Sequence, residues 1–241
     1  AVQGGHADHG VAPIDNGING RVTDVHHLIP RYDLCVVGEH YLPVRHQLMA
    51  KPGATLDAIK SAASHGQALG QCRDFLRARA IAPIETANTA IAAKQVSEGD
   101  DLSRAAIASS EAAEIYGLTV LASDIANASG NATRFFAVSR TRADPPAGAP
   151  CITILMFATQ SIPAALFKAL GGFATNSFNM TKIDSYSVGG DFETAEFIIE
   201  IEAHPDEPRT QRALKELAFF STSVRIVGVF ARSARPSERD A

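Results

Sequence analysis

Along the first 140 positions, apolar residues come in short runs separated by polar loops, and the spacing inside the runs switches between alternation and helical recurrence. Val11 to Ile14 is extended and ends in a loop carrying Asp15-Asn16-Gly17 and Asn19-Gly20. From Arg21, the apolar residues Val22, Val25, Leu28 and Ile29 recur at helical spacing until Pro30 stops them. Leu34 to Val37, Tyr41 to Val44 and Gln47 to Ala50 read as three strands, after which Thr55 caps a predicted helix from Leu56 to Ala62. Ser64 with Gln67 has the form of a capping box opening a helix that runs through Phe75 and Leu76. Ile81 to Ile84 is a strand, and an alanine-rich helix follows with Asn88 or Thr89 as its cap. Arg104 to Ala108 is a strand, Ser109 to Tyr116 a helix, Leu118 to Ala122 a strand and Phe135 to Val138 another. Strands alternating with helices make this an α/β region.

After Arg140 the pattern changes. Thr141 to Pro150 holds three prolines, an aspartate and a glycine, the composition of a linker. Beyond it, Cys151 to Ala158 is extended and Pro163 to Ala174 helical, with Leu166, Leu170 and Phe173 on one face. Phe178 to Tyr186 is a strand, Gly189-Gly190 a turn, and Glu196 to Glu202 alternates with Phe197, Ile199 and Ile201 facing one way. Pro208 to Ser221 is a helix with Leu214, Leu217 and Phe220 inward, and Val224 to Phe230 is the last strand. This βαββαβ order is that of a ferredoxin-like module. The expected division is therefore a first region at 1–140, a linker at 141–150, the module at 151–231 and a flexible tail at 232–241.

The composition narrows the classes. At 241 residues, with 46% hydrophobic and 20% charged side chains, the chain is long enough for a full core and has the balance of a folded soluble protein. A net charge of −4 leaves no basic field of the kind that holds a phosphate backbone, so nucleic acid is a poor partner. Cys35, Cys72 and Cys151 are odd in number and scattered, which points away from a disulfide framework and a zinc site and fits a reducing cytoplasm. His6 and His9 lack a third ligand at metal spacing, and no apolar run has the length of a membrane-spanning helix.

The most suggestive stretch is Asn131-Ala132-Thr133-Arg134-Phe135-Phe136, a hydroxyl, a guanidinium and a ring placed where a loop enters a strand. Alternation puts Thr133 and Phe135 on one face and Arg134 on the other. A hydroxyl there can donate a proton, and arginine is a permanent partner for anions. Asn16 lies in a loop at a strand's end, and His65, Asn88 and Thr89 lie at predicted helix N-termini, where an anionic ligand is favoured.

Several separated motifs agree on one family. Pro13-Ile14-Asp15-Asn16, Tyr41-Leu42-Pro43-Val44, Ser64 to Cys72, Thr89-Ala90 with Ala92-Ala93, and Asn131 with Thr133-Arg134-Phe135 occur in order. Pro163 to Leu166, Asn179 to Ser185, His204-Pro205 and Phe219-Phe220-Ser221 extend the match. The chain resembles the prephenate dehydratases of the monofunctional bacterial type, a catalytic region followed by an ACT regulatory domain. The resemblance implies two α/β lobes, similar to periplasmic binding proteins, then a ferredoxin-like ACT domain. It implies decarboxylating dehydration of prephenate to phenylpyruvate in phenylalanine biosynthesis, without metal or organic cofactor. Thr133, Arg134 and Phe135 are the implied catalytic residues, with Asn16, Ser64, His65, Asn88, Thr89 and Asn131 holding substrate. Two roles stay open for Arg134, holding a substrate carboxylate or bracing the site from behind, and the alternation favours bracing. Pro163, Ala164, Ala165, Leu166, Asn179, Asp184 and Ser185 match positions that bind phenylalanine as allosteric effector, in a homodimer or homotetramer.

The chain departs from the family pattern at Asp15 and Gly17, which flank Asn16, and at Asn88, Ala164 and Tyr186, the last three standing where serine, glycine and arginine are usual. The family's upstream strand and Gly- and Ser-bearing loop have no counterpart here, so the expectation is an N-terminally incomplete catalytic region of reduced stability and little activity. The alternatives are an impaired fragment that only binds phenylalanine, an arogenate dehydratase, and a solute-binding lobe pair without chemistry.

Overall fold

In a computed structural model the described residues are 1–18, 20–22, 25–187 and 195–234, with the backbone alone for 26, 27, 30 and 187. The expected Gly189-Gly190 turn, Asn19 and the tail beyond 234 lie outside them. In chain order the strands are β1 (His9–Asn16), β2 (Gly20–Arg21), β3 (Cys35–Pro43), β4 (Gln47–Ala50), β5 (Ser61–Ser64), β6 (Ala82–Glu85), β7 (Arg104–Ala108), β8 (Thr119–Ala122), β9 (Ala132–Ser139), β10 (Cys151–Thr159), β11 (Met180–Ser187), β12 (Ala195–Ile201) and β13 (Ser221–Ala231). The helices are α1 (Val25–Arg31), α2 (Gly66–Gln71), α3 (Arg73–Ala78), α4 (Thr89–Glu98), α5 (Ser110–Tyr116), α6 (Ala165–Thr175) and α7 (Pro208–Phe219). Two compact units result: unit 1 is Ala1–Leu42 with Thr133–Ala241, and unit 2 is Pro43–Ala132. This division is not the one drawn from the proline-rich stretch, because β3 and β9 share a sheet with the strands beyond 150.

Unit 1 carries an eight-stranded sheet in the order β11-β12-β10-β13-β3-β9-β1-β2. Residues 151–231 have the βαββαβ element order, and their four strands pair antiparallel. The sheet continues from β13 into β3, which runs parallel to it with Gly228 opposite Val36. A methyl group on Gly228 would sit 2.7 Å from Val36 Cβ and closer still to its carbonyl oxygen, so only glycine permits this approach. The two ends of the sheet meet, with Lys182 of β11 against Asp15 of β1 and Arg21 of β2 over the ring of Tyr186 of β11. Ile14, Val36, Phe136 and Val138 pack in one core with Ile152, Ile154, Ile198, Val227 and Phe230. The far face of β10 and β12, with Leu155, Phe157, Ile199 and Ile201, is covered by Ala169 and Phe173 of α6 and Ala213 and Leu217 of α7. Burial on both faces explains why β10 is apolar along nearly its whole length.

Unit 2 carries a five-stranded sheet in the order β6-β5-β7-β4-β8, with β5 parallel to both β6 and β7. Leu69, Cys72 and Leu76 cover one face, against Leu48, Ala62 and Ile107. Ala92, Ala93 and Val96 of α4, with Ala112 and Ala113 of α5, cover the other, against Met49, Ala63 and Ala106. Alanine on both sides of these contacts lets helix and sheet lie close.

Several local expectations change. Thr55 makes no capping hydrogen bond, and the residues after it form only a 3-10 turn at Leu56–Ala58 before β5. The run Ser61-Ala62-Ala63-Ser64 is a strand because its neighbours, not its own weak strand propensity, decide. Ser64 ends that strand and His65 is the helix cap. Arg21 belongs to β2, α1 begins at Val25, and the helix ends one residue past Pro30. The two strands expected at 34–37 and 41–44 are one, β3. Among the described residues no helix is long and apolar enough to cross a membrane.

Candidate active site

From Ala132 to Val138 burial along β9 alternates: Arg134, Phe136 and Val138 are buried, Thr133, Phe135 and Ala137 half-buried. Its partner β1 has a register shift between Pro13 and Asp15, a bulge at Ile14 that sets Asp15 opposite Arg134 and Asn16 opposite Thr133. Asn16 is held by its own turn, since its Oδ1 accepts from the Ile18 N–H at 3.1 Å. That turns the amide nitrogen toward Thr133, where Nδ2 donates to Oγ1 at 3.2 Å. With its oxygen accepting from Asn16, the Thr133 hydroxyl keeps its own proton for another acceptor.

Arg134 points the other way. Its Nε donates to Glu39 Oε2 at 2.7 Å, its Nη2 lies 2.6 Å from the same oxygen, and its Nη1 donates to Glu200 at 2.9 Å. Asp15 Oδ2 is 3.8 Å from Nη1, and the guanidinium lies 4.7 Å from the Phe136 ring centroid. Burial works against the charge on Arg134, but Glu200 and Glu39 outweigh it and hold the pKa above the usual guanidinium value. Glu200 is pushed above the ordinary carboxylate range by burial, which Arg134 only partly offsets. Nε, Nη1 and Nη2 of this guanidinium are thus each already engaged by a carboxylate.

In unit 2 the chain from β5 turns to β6 on one side and the chain from β7 runs to β8 on the other, so the order reverses between β5 and β7. The crevice outside the carboxyl ends of such strands is where ligands bind in open α/β sheets. Ser64 sits there, fully buried, its Oγ donating to the Ile107 carbonyl at 2.6 Å across that gap. His65 follows, and its Nδ1 accepts from the Gln67 N–H at 3.3 Å. Asn88 caps α4 by accepting from the Ile91 N–H at 2.7 Å, and Thr89 begins that helix. Ser64 and His65 leave β5, and Asn88 and Thr89 follow β6, at the carboxyl ends of two parallel strands. Asn131 is buried with its Nδ2 donating to Gln71 Oε1 at 3.2 Å, while His46 Nε2 meets the same oxygen at 2.7 Å. Asn131 Oδ1 is buried without a hydrogen-bond partner among the described residues.

The residues expected to bind an effector are spread over two elements. Pro163, Ala164, Ala165 and Leu166 lie at the start of α6, with Ala164 in left-handed backbone at φ 58°. Asn179 donates to Glu202 at 2.7 Å just before β11. Asp184 is turned inward toward Lys182 and Arg21, at 3.3 and 3.9 Å, whereas the next residue, Ser185, is exposed on the opposite face. Tyr186 is buried under Arg21, with its phenol pushed up to about 12 mainly by burial. Among the described residues no group of three or more His, Cys, Asp or Glu side chains is placed to hold a metal ion.

Sequence reasoning missed Glu39, Lys182, Glu200, His46 and the place of Asp15. The signal for Glu200 was present. Ile198 occupies the supposedly polar face of β12, so that face is also buried and a glutamate on it needs a cation.

The comparisons with known proteins bear on this arrangement. A family model described as prephenate dehydratase matches residues 1–143. The chain belongs to the prephenate dehydratase family. That match ends just past β9, so Asn16, Ser64, His65, Asn88, Thr89 and Asn131 to Phe135 fall inside it. A relative from Komagataeibacter europaeus, a bifunctional N-acyl-homoserine lactone acylase/prephenate dehydratase, is 39% identical over 97% of this chain and 83% of its own length. Arogenate dehydratase/prephenate dehydratase 1 of Arabidopsis thaliana is 36% identical over 92% of this chain, which spans 60% of that relative. The crystal structure of prephenate dehydratase with L-Phe from Arthrobacter aurescens superposes with a TM-score of 0.81 at 30% identity, covering 96% of this chain and 77% of that one. These dehydratases are lyases, and this chain shares their mixed α/β fold.

Proposed function

We propose that the chain dehydrates and decarboxylates prephenate to phenylpyruvate, with Thr133 as the hydroxyl that serves the departing C4 hydroxyl. The observation that carries this reading is the Asn16 to Thr133 hydrogen bond of 3.2 Å, which fixes the threonine oxygen as acceptor and leaves its proton to give. Loss of carbon dioxide and water makes an aromatic ring, so the protein's task is to orient the substrate carboxylates and to supply that proton. A threonine hydroxyl is a weak acid, and the amide donated to its oxygen makes it a better one. In unit 2, Ser64, His65, Asn88, Thr89 and Asn131 are the groups proposed to hold substrate; in unit 1, Phe135 flanks Thr133 on its face and Arg134 positions β9 from behind.

The same reading takes unit 2 and the strands β1, β3 and β9 as the two lobes of a periplasmic-binding-protein-like region, and residues 151–231 as an ACT domain in a cytoplasmic homodimer or homotetramer. Phenylalanine is the proposed effector, supported by the L-Phe named in the Arthrobacter aurescens structure. Arogenate undergoes the same chemistry and is the second substrate to try, since the Arabidopsis relative carries both names. The test is turnover of prephenate, followed by the ultraviolet absorbance of phenylpyruvate, with and without L-phenylalanine. Thr133→Ala is expected to lower kcat by about 10²- to 10⁴-fold, the range of a general acid. An active wild-type chain whose Thr133→Ala variant keeps its rate would sink the assignment.

A further inference from the structure

Two neighbouring rungs of the β1–β9 ladder have opposite fates. Asn16 and Thr133 form the half-buried rung to which the chemistry is assigned, and Asp15 and Arg134 form the next, turned to the inner face. The inner rung is tied to strands far off in sequence. Lys182 Nζ of β11 lies 2.5 Å from Asp15 Oδ1, and Glu200 of β12 takes two contacts of 2.9 Å from Arg134 Nη1. Lys182 is itself held by Asp184 at 3.3 Å, and Glu39 of β3 completes the ring around Arg134.

The bulge at Ile14 is the reason these ties matter. A bulge bends and twists the strand and re-aims the side chains beyond it, and the side-chain anchors at Asp15 and Arg134 add to the pairing that resumes there. Asp15 is one residue from Asn16, about 3.3 Å along the strand, and the two side chains leave on opposite faces. Any rotation of the backbone that lets Asp15 go therefore swings the Asn16 amide away from the Thr133 oxygen.

We propose that Lys182 and Glu200 are positioning residues for the Thr133 site: by anchoring Asp15 and Arg134 they set the Asn16–Thr133 hydrogen bond, so that the βαββαβ segment is a working wall of that site. The proposal rests on the reading of Thr133 as the proton donor for its catalytic consequence, but the positioning itself is measurable without turnover.

The experiment follows the side-chain amide resonance of Asn16 by ¹⁵N NMR, assigned through its loss in Asn16→Asp. In Lys182→Met this resonance is expected to move to the position it takes in Thr133→Val, and Lys182→Arg is expected to return it. In the active protein, kcat of folded Lys182→Met falls about tenfold while KM stays within about twofold, and the arginine variant recovers the rate. A lysine that merely stabilised the fold would lower the melting temperature and leave both the resonance and kcat of the folded fraction unchanged, which overturns the proposal. Glu200→Gln, which keeps the volume, gives a second variant with the same expected and contrary outcomes. If the wild-type chain turns over neither prephenate nor arogenate while Lys182→Met still shifts the resonance, the dehydratase reading fails and the positioning one stands.

Discussion

Replacing Arg134 by methionine keeps most of the apolar stem and removes the cation from a core where the Glu39 and Glu200 side chains are each 2% exposed. Breaking a buried pair in this way costs about 3–5 kcal/mol, a large part of the 5–15 kcal/mol by which domains are typically stable. The chemistry sets a ceiling on each orphaned carboxylate. It can always take a proton, and for a group ionising near 4.3 when unfolded that costs about 3.7 kcal/mol at pH 7 and about 1 kcal/mol at pH 5. The penalty should therefore shrink on mild acidification.

The sign agrees with wild type, where burial already holds Glu200 above the usual carboxylate range. A raised carboxylate contributes stability below its unfolded pKa and loses it as pH rises through the folded one. Urea unfolding of Arg134→Met at pH 7 and pH 5, compared with wild type, measures both quantities, and Glu200→Gln in the variant background should flatten the pH dependence. A loss below about 1 kcal/mol at pH 7 is the behaviour of a surface ion pair, and would refute the claim that this network is buried and braced.

Two substitutions of a single methyl group test the backbone with opposite signs. Gly228→Ala forces β13 from β3 and is expected to cost at least the 1–3 kcal/mol typical of overpacking, read from the denaturation midpoint; an unchanged midpoint would mean the two strands do not meet at Val36. Ala164→Gly relieves a left-handed residue at φ 58° and is expected to stabilise by about 0.5–1 kcal/mol, seen as a higher melting temperature; a fall would show that Ala164 is not held left-handed.

What the sequence disclosed follows from where the deciding forces lie. β9 was legible because one of its faces is core, and alternation alone separated Thr133 from Arg134 before any contact was known. The helix start at Asn88-Thr89 was legible because capping is local, and of the two candidate caps the hydrogen bond falls to Asn88. The strand Ser61-Ala62-Ala63-Ser64 was not. Small residues buried on both faces show no period, and the partners that make it a strand lie at residues 82–85 and 104–106. Ser64 was misread as a cap because its hydroxyl is taken by the carbonyl of Ile107, a tertiary partner that no local motif announces. The continuity of β13 with β3 was hidden for a like reason, since a glycine in a strand says only that something comes close.

One hydrogen bond within unit 2 bears on how the chain finds its fold. Unit 2 is a continuous segment between β3 and β9, and near its two ends the Val44 N–H donates to the Asn131 carbonyl at 2.8 Å. Bringing together strands separated by so long a loop costs about 4 kcal/mol of chain entropy when the loop is loose. Once unit 2 has folded, that closure has already been made, and β3 and β9 reach each other as the arms of an ordinary hairpin would. Pairing distant in sequence thus becomes local in kinetics.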